Sequence, residues 1–111
     1  MTNTTNPSIT TDRVLQEVLA ERIRQDEKWG EQNHPDGTGI APEQTKLADN
    51  AKAMCQQAFA EGRGDWAHVL FEEVREALAE SDPVRLREEL VQVAAVAVNW
   101  IEAIDRRTET S

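Results

Sequence analysis

The chain has 111 residues, 30% of them charged and 39% apolar, which suits one soluble globular domain with a modest core. Its net charge of −9 repels nucleic-acid backbones and therefore argues against a nucleic-acid-binding role. The sequence has one cysteine, no signal segment, and no apolar run of the roughly 20 residues that span a bilayer. We therefore expect a soluble cytoplasmic protein without a disulfide and without a membrane partner.

The N-terminal segment, residues 1–9, is polar, and we expect it to form a disordered tail. Polar residues that favour helix N-termini follow directly, so Thr10, Thr11 or Asp12 is expected to cap a first helix. The apolar periodicity predicts that this helix extends over about residues 12–29.

The apolar residues of this helix fill one arc of the helical wheel, and Arg22 and Asp26 share that arc. Two interpretations are open: the two side chains pair across one helical turn, or they line a binding site. The glycine- and proline-rich segment 30–42 must be a loop, and a loop of this length in a small domain is usually functional or disordered. The side chains that we expect to contact a substrate here are Arg22, Asp26, Lys28, Trp29, Asn33 and His34.

Several of these side chains also have a structural interpretation. Trp29 either stacks on a base or packs in the core, and His34 either binds a base or phosphate or holds its own turn. Asn33 is a further donor for a base edge, while Lys28 suits phosphate oxygens. Asn99, a polar residue on a mostly apolar later helix, either satisfies a backbone group or reaches the substrate groove.

Three more helices are predicted, over residues 43–60, 65–80 and 83–107, and no segment shows the alternation of a strand. The last helix has the clearest start signal, because Asp82 is a good N-cap and Pro83 suits the first helical position. We expect the first of these three helices to bury Leu47, Ala51, Met54, Cys55, Ala58 and Phe59.

These elements predict an all-α fold, a four-helix bundle that forms a single domain over residues 10–107. Residues 108–111 are expected to be a short C-terminal tail.

The last helix also has a second apolar stripe, besides its core face, formed by Val91, Ala94, Ala95 and Val98. A helix that is apolar on two sides is normally buried on two sides, so this stripe predicts a homodimer with the helix near the two-fold axis. The competing explanation is that the first or second helix covers the stripe within a single chain.

Acidic side chains lie beside the apolar faces of the third and fourth helices. Glu73 and Glu76 lie on one helix and Glu89 on the next, with Gln92 one turn further along, whereas Glu72 is expected to point away. Because a short connection makes the helices antiparallel neighbours, these stripes can face one another across a groove. Grouped carboxylates favour bound magnesium or manganese, although solvated Glu residues on amphipathic helices are the alternative.

The segments 72–76 and 89–92 resemble the E-E-x-x-E and E-x-x-D elements of the MazG-like all-α nucleoside triphosphate pyrophosphohydrolases. A weaker likeness, which includes the Lys28–Gly39 segment KWGEQNHPDGTG, extends over most of residues 12–107. The resemblance implies a magnesium site, with manganese as a substitute, and Gln92 stands where the family usually has Asp. The implied metal ligands are Glu73, Glu76, Glu89 and Gln92.

The resemblance also implies the reaction: hydrolysis of a nucleoside triphosphate between the α and β phosphates, giving a monophosphate and pyrophosphate. A carboxylate among Glu73, Glu76 and Glu89 would act as the base toward water, so these three are the catalytic candidates. Dimers, or dimers of dimers, are the implied assembly. The alternative, favoured by Gln92, is a non-catalytic helical interaction module or nucleotide-binding module with the same fold.

Overall fold

The structure, a computed structural model, describes residues 7–109 of the chain and the side chains of residues 9–108. All regular secondary structure in this range is helical, which confirms the predicted all-α class with four helices. The helices are α1 (Pro7–Trp29), α2 (Pro42–Ala60), α3 (Trp66–Ala79) and α4 (Pro83–Glu109). Within the described range, no helix is both long enough and apolar enough to cross a bilayer. The tails were expected at residues 1–9 and 108–111, but residues 7–9 belong to α1 and residues 108 and 109 to α4, so these bounds are wrong; residues 1–6 and 110–111 lie outside the described part of the chain.

Helix α1 begins earlier than the polar residues near its start predict. Thr10 and Thr11 lie inside the helix, as does Asp12, so the prediction that one of these three residues caps it is wrong. Their hydroxyl groups instead donate to the carboxylate of Glu102 on α4, at 2.9 Å from Thr10 and at 3.1 and 3.2 Å from Thr11. These hydrogen bonds therefore connect the N-terminal part of α1 to the C-terminal part of α4.

Helices α3 and α4 each begin at an aspartate whose side chain caps the first turn, as the sequence predicts for Asp82. The Asp65 side chain accepts a hydrogen bond of 2.8 Å from the backbone N–H of His68, which satisfies a free donor in the first turn of α3. Asp82 accepts an equivalent bond of 3.0 Å from the Arg85 N–H, and Pro83 occupies the first position of α4. The turn between the two helices is therefore fixed by local chemistry.

The chain forms two compact units. Among the described residues, one unit comprises residues 7–35 and 98–109, and its most buried apolar side chains are Val14 and Val98. The other comprises residues 36–97, that is, α2, α3 and the first part of α4. The three candidate metal-binding glutamates, Glu73, Glu76 and Glu89, all belong to this second unit.

Helix α2 packs on α3 through small residues. Ala51, Cys55 and Ala58 are buried as predicted, and Ala48 joins them. The predicted burial of the three larger residues is wrong, since 40%, 55% and 52% of their surfaces remain exposed; they are Leu47, Met54 and Phe59. The small side chains let the helix axes approach closely, which leaves the larger side chains at the margins of the contact.

The second half of the 30–42 loop is attached to the C-terminal end of α3. The Thr38 hydroxyl donates to the carbonyl of Glu80, and the Gly39 N–H donates to the carbonyl of Leu78 at 2.9 Å. Gly39 has a φ of +64°, and a Cβ there would lie 2.8 Å from the Cβ of Ser81. Only glycine fits this position without strain, and the bonds satisfy carbonyls that the end of α3 leaves free.

Candidate functional site

Three carboxylates converge where α3 faces α4. One oxygen each from Glu73, Glu76 and Glu89 lies within 4.8 Å of the others, and all three residues are half-buried. The two α3 residues are one helical turn apart, so they share one face, and the short turn before α4 brings Glu89 to that face. We call this group the carboxylate cluster.

Two oxygens of the carboxylate cluster lack the hydrogen bonds that buried polar atoms normally make. Oε2 of Glu73 and Oε2 of Glu89 are shielded from solvent, and neither has a partner among the described atoms. Leaving buried acceptors unpaired costs free energy, so native structures usually satisfy them with a protein group, water or an ion. Hard oxygen donors that converge without protein donors fit a magnesium or manganese ion.

The same crowding raises the affinity of the cluster for protons. Burial, followed by the nearby charges of Glu89 and Glu72, raises the pKa of Glu73 above its usual range. Burial and then the charge of Glu73 also raise the pKa of Glu76, together with smaller effects of Glu89 and Glu72. A bound cation would reverse this balance, because it favours the ionised carboxylates.

This electrostatic strain predicts that the metal-free protein gains stability when one carboxylate is neutralised. The folded pKa of Glu76 lies above the ordinary value of 4.5. Its stabilising contribution is therefore complete below that value and is lost as the pH rises through the folded pKa. We expect Glu76→Gln to raise the melting temperature at neutral pH by about 1–4 °C, a small shift because solvent screens the charges.

Circular dichroism melts in a chelating buffer measure this effect. The increase in melting temperature of the Glu76→Gln variant should disappear near pH 4, where the native Glu76 carboxyl is itself protonated. A variant that melts at or below the temperature of the unmodified protein at neutral pH would show that the carboxylates do not repel one another appreciably.

Glu72 is half-buried but lies outside the carboxylate cluster. The helical wheel places it away from the groove between α3 and α4. Burial, followed by a hydrogen bond to the Glu72 carboxylate, raises the pKa of the Cys55 thiol. Glu72 therefore lies in the contact between α2 and α3 and adds negative charge beside the carboxylate cluster. Its position depends on which side of α3 packs against α2.

Lys52 on α2 is a residue near the cluster that the sequence analysis missed. Its positive charge lowers the pKa of Glu76, opposing the effects of burial and of the neighbouring carboxylates. The ammonium group makes no ion pair with a carboxylate of the described residues, and the residue is exposed. Nothing in its sequence surroundings distinguishes it from an ordinary surface lysine.

Gln92 is exposed and lies one helical turn after Glu89 on α4. We expect Gln92→Asp to raise magnesium affinity on the order of tenfold, because it adds an anionic oxygen ligand on the same side of the helix. Maximal activity should then be reached at a lower magnesium concentration. Calorimetric titration measures the affinity, and an unchanged value would place residue 92 outside the coordination sphere.

The predicted substrate residues of α1 and the loop after it belong to the other unit. Arg22 and Asp26 form an exposed ion pair of 2.8 Å, as the pairing interpretation expects. The two residues also line a polar depression, so the pairing does not exclude contact with a ligand. The depression is lined by Arg22, Gln25, Asp26, Gly30, Glu31 and Gln32.

The remaining candidates are exposed side chains with local partners. Trp29 is not a core residue, since 58% of its surface is exposed, and the Lys28 ammonium lies 4.8 Å from its ring centroid. Asn33 donates to the Glu31 carboxylate at 3.0 Å, and a nitrogen of the His34 ring lies 3.0 Å from the side-chain oxygen of Gln32. Asn99 on α4 is also exposed and belongs to the same unit.

Comparison with known proteins adds no relative. No protein-family model matches the chain, and searches of curated proteins and of solved structures find no match either. The resemblance to the MazG-like enzymes therefore rests on the residues of the two motif elements.

Proposed function

We propose that the protein is a magnesium-dependent nucleoside triphosphate pyrophosphohydrolase, which converts a ribo- or deoxyribonucleoside triphosphate and water into the monophosphate and pyrophosphate. The carboxylate cluster is the observation that supports this proposal. Its residues follow one another in the order of the MazG-like motif. Two of its buried oxygens have no hydrogen-bond partner among the described residues. A cytoplasmic location fits such a substrate and a chain with one unpaired, buried cysteine.

The carboxylate cluster suits both binding and chemistry. Glu73, Glu76 and Glu89 would hold the magnesium, with the amide oxygen of Gln92 as a further neutral ligand. The ion would offset the charge of the phosphates and lower the pKa of a bound water. A cluster carboxylate oxygen that is not bound to the ion would accept the proton of the water that attacks the α phosphorus. Substrate binding would also depend on the ion, because protein and triphosphate are both anionic.

A panel of ribo- and deoxyribonucleoside triphosphates, assayed for released pyrophosphate with magnesium and with a chelator, tests this proposal. We expect release from at least one nucleotide in magnesium and none with the chelator. The second candidate, a non-catalytic interaction or nucleotide-binding module, is favoured by Gln92 in place of an acidic ligand. Magnesium-dependent binding of a nucleotide without any release of pyrophosphate would favour that module.

We further propose that the protein forms a homodimer, or a dimer of dimers, through α4. Val91 is 56% exposed and Val84 is 68% exposed, with Ala94 and Ala95 also exposed on this helix. Val98, the fourth residue of the predicted apolar stripe, is buried within the chain, so it is not available to a partner. The exposed residues of the stripe, Val91, Ala94 and Ala95, would pack against a second copy together with the nearby Val84, and the small alanines would allow close approach of the helices.

A further inference from the structure

Helix α1 carries an apolar stripe that the described part of the chain leaves half uncovered. Leu15, Leu19 and Ile23 follow one another at intervals of four residues, so they share one side of the helix, and about half of each residue is exposed. Val14, which is buried, lies about 100° around the helix from Leu15. The three exposed residues therefore lie beside the packed side of α1, and we call them the α1 stripe.

The α1 stripe supplies contact area that the dimer proposed above requires. Stable interfaces usually bury about 800 Å² on each partner. The exposed patch on α4 consists of two valines and two alanines, which together offer less than this area. Three large aliphatic side chains on a helix roughly 35 Å long would extend the contact considerably. A monomer has no evident use for such a row of exposed leucine and isoleucine side chains.

The spacing of the α1 stripe suits pairing with an identical helix. Leu19 lies at its centre, with one aliphatic residue a turn before it and another a turn after it. If two copies of α1 pack antiparallel about a two-fold axis at Leu19, Leu15 lies against the partner's Ile23. A two-fold contact needs a surface that complements itself, and this stripe meets that requirement.

The charged residues at the two ends of the stripe favour the antiparallel arrangement. Arg22 donates to the side chains of Gln25 and Asp26, at 3.0 and 2.8 Å. A guanidinium has five N–H donors, so others remain for a second carboxylate. Antiparallel packing about Leu19 places the partner's Asp12 opposite Asp26, where these donors can bind it, whereas parallel packing would bring two copies of Asp12 together.

We propose that the α1 stripe is a docking surface for a second copy of this chain, on which the partner's α1 packs antiparallel about a two-fold axis near Leu19. The inference rests on the homodimer proposed above and adds a second helix to its interface. Because the α4 patch alone falls short of the usual area, loss of the α1 contact should yield monomers.

Substitution of Leu19 by cysteine tests the pairing. A residue at a two-fold axis meets its own counterpart, so a short bismaleimide should join Leu19→Cys into a covalent dimer on a denaturing gel. The native Cys55 is buried, so the unmodified protein should stay unlinked. Glu17→Cys is the matched control and should also stay unlinked, because Glu17 is exposed and lies about 160° around α1 from Leu19.

Leu19→Glu measures what the contact contributes. We expect it to weaken dimerisation by about 100-fold or more, because an unpaired carboxylate would be buried between the copies. Sedimentation velocity measures the mass, and circular dichroism should show native helicity, because Leu19 is half exposed in the single chain. Leu19→Met keeps an apolar side chain of similar volume and should keep the native mass.

The possible failures are distinct, and none depends on pyrophosphate release. If the unmodified protein is dimeric, Leu19→Glu keeps its mass and Leu19→Cys is not linked, the α1 assignment is wrong while the α4 dimer stands. Loss of helicity in Leu19→Glu without linkage of Leu19→Cys would show that the protein's own chain covers the stripe, which also overturns the assignment. An unmodified protein that is monomeric at high micromolar concentration would refute both contacts.

Discussion

Glu89→Gln is expected to reduce magnesium affinity by about 10- to 100-fold and pyrophosphate release by roughly 100-fold or more. The amide keeps the shape of the side chain but removes one of three negative charges that converge within 4.8 Å. Helicity and melting temperature should stay at least as high as in the unmodified protein, since removing a charge relieves repulsion in the cluster. Calorimetric titration with magnesium and a pyrophosphate assay measure the two losses.

Glu88→Gln is the matched control. Glu88 is the neighbouring residue on α4, is exposed, and does not belong to the carboxylate cluster. The control removes the same charge from the same helix, so it should leave metal affinity and activity within about twofold of the native values. Full magnesium-dependent activity in Glu89→Gln would show that the cluster is not the active site.

Val91→Glu is expected to convert the proposed dimer into folded monomers. Val91 is 56% exposed, so the chain itself tolerates a charge there, whereas a charge buried between two copies would oppose association. Light scattering at high micromolar concentration measures the mass, and circular dichroism checks that the helices are retained. Val98→Glu is unsuitable as a test because Val98 is buried, and the variant would unfold for that reason alone.

Ala53→Glu serves as the control for this experiment. Ala53 is exposed on the side of α2 opposite to the buried face of Ala51 and Cys55, so the substitution adds the same charge to a different surface. It should leave the mass unchanged. An unmodified protein that is monomeric at high micromolar concentration would rule out the proposed dimer.

The features that follow from local chemistry could be predicted from the sequence. Asp65 and Asp82 start their helices as side-chain caps, because capping requires only residues within one turn. The proximity of Glu73, Glu76 and Glu89 follows from helical periodicity and a short turn, which are also local properties.

Features that depend on which faces of two helices pack against each other could not be predicted. Glu72 and Lys52 lie near the cluster because α2 covers one particular side of α3, and periodicity within one helix does not determine that side. The apolar arc of α1 gives another example. Leu15, with 47% of its surface exposed, and Leu19, with 52%, remain accessible although the wheel places them on the expected core face.

The start of α1 differs from its prediction for a related reason. Thr10 and Thr11 are good capping residues, but they hydrogen-bond instead to Glu102, a residue more than ninety positions along the chain. A partner so distant in sequence leaves no local signal, so a preference for capping is overridden by a tertiary contact.

Phosphorus NMR of a reaction in ¹⁸O-labelled water tests the central claim most directly, because it identifies both the bond that breaks and the phosphorus that is attacked. With magnesium and a nucleotide that the protein hydrolyses, we expect equal amounts of monophosphate and pyrophosphate, with the label in the monophosphate. This result requires that water attacks the α phosphorus and that the bond between the α and β phosphates breaks. Release of orthophosphate and a diphosphate, or hydrolysis that is unaffected by removal of magnesium, would contradict the account.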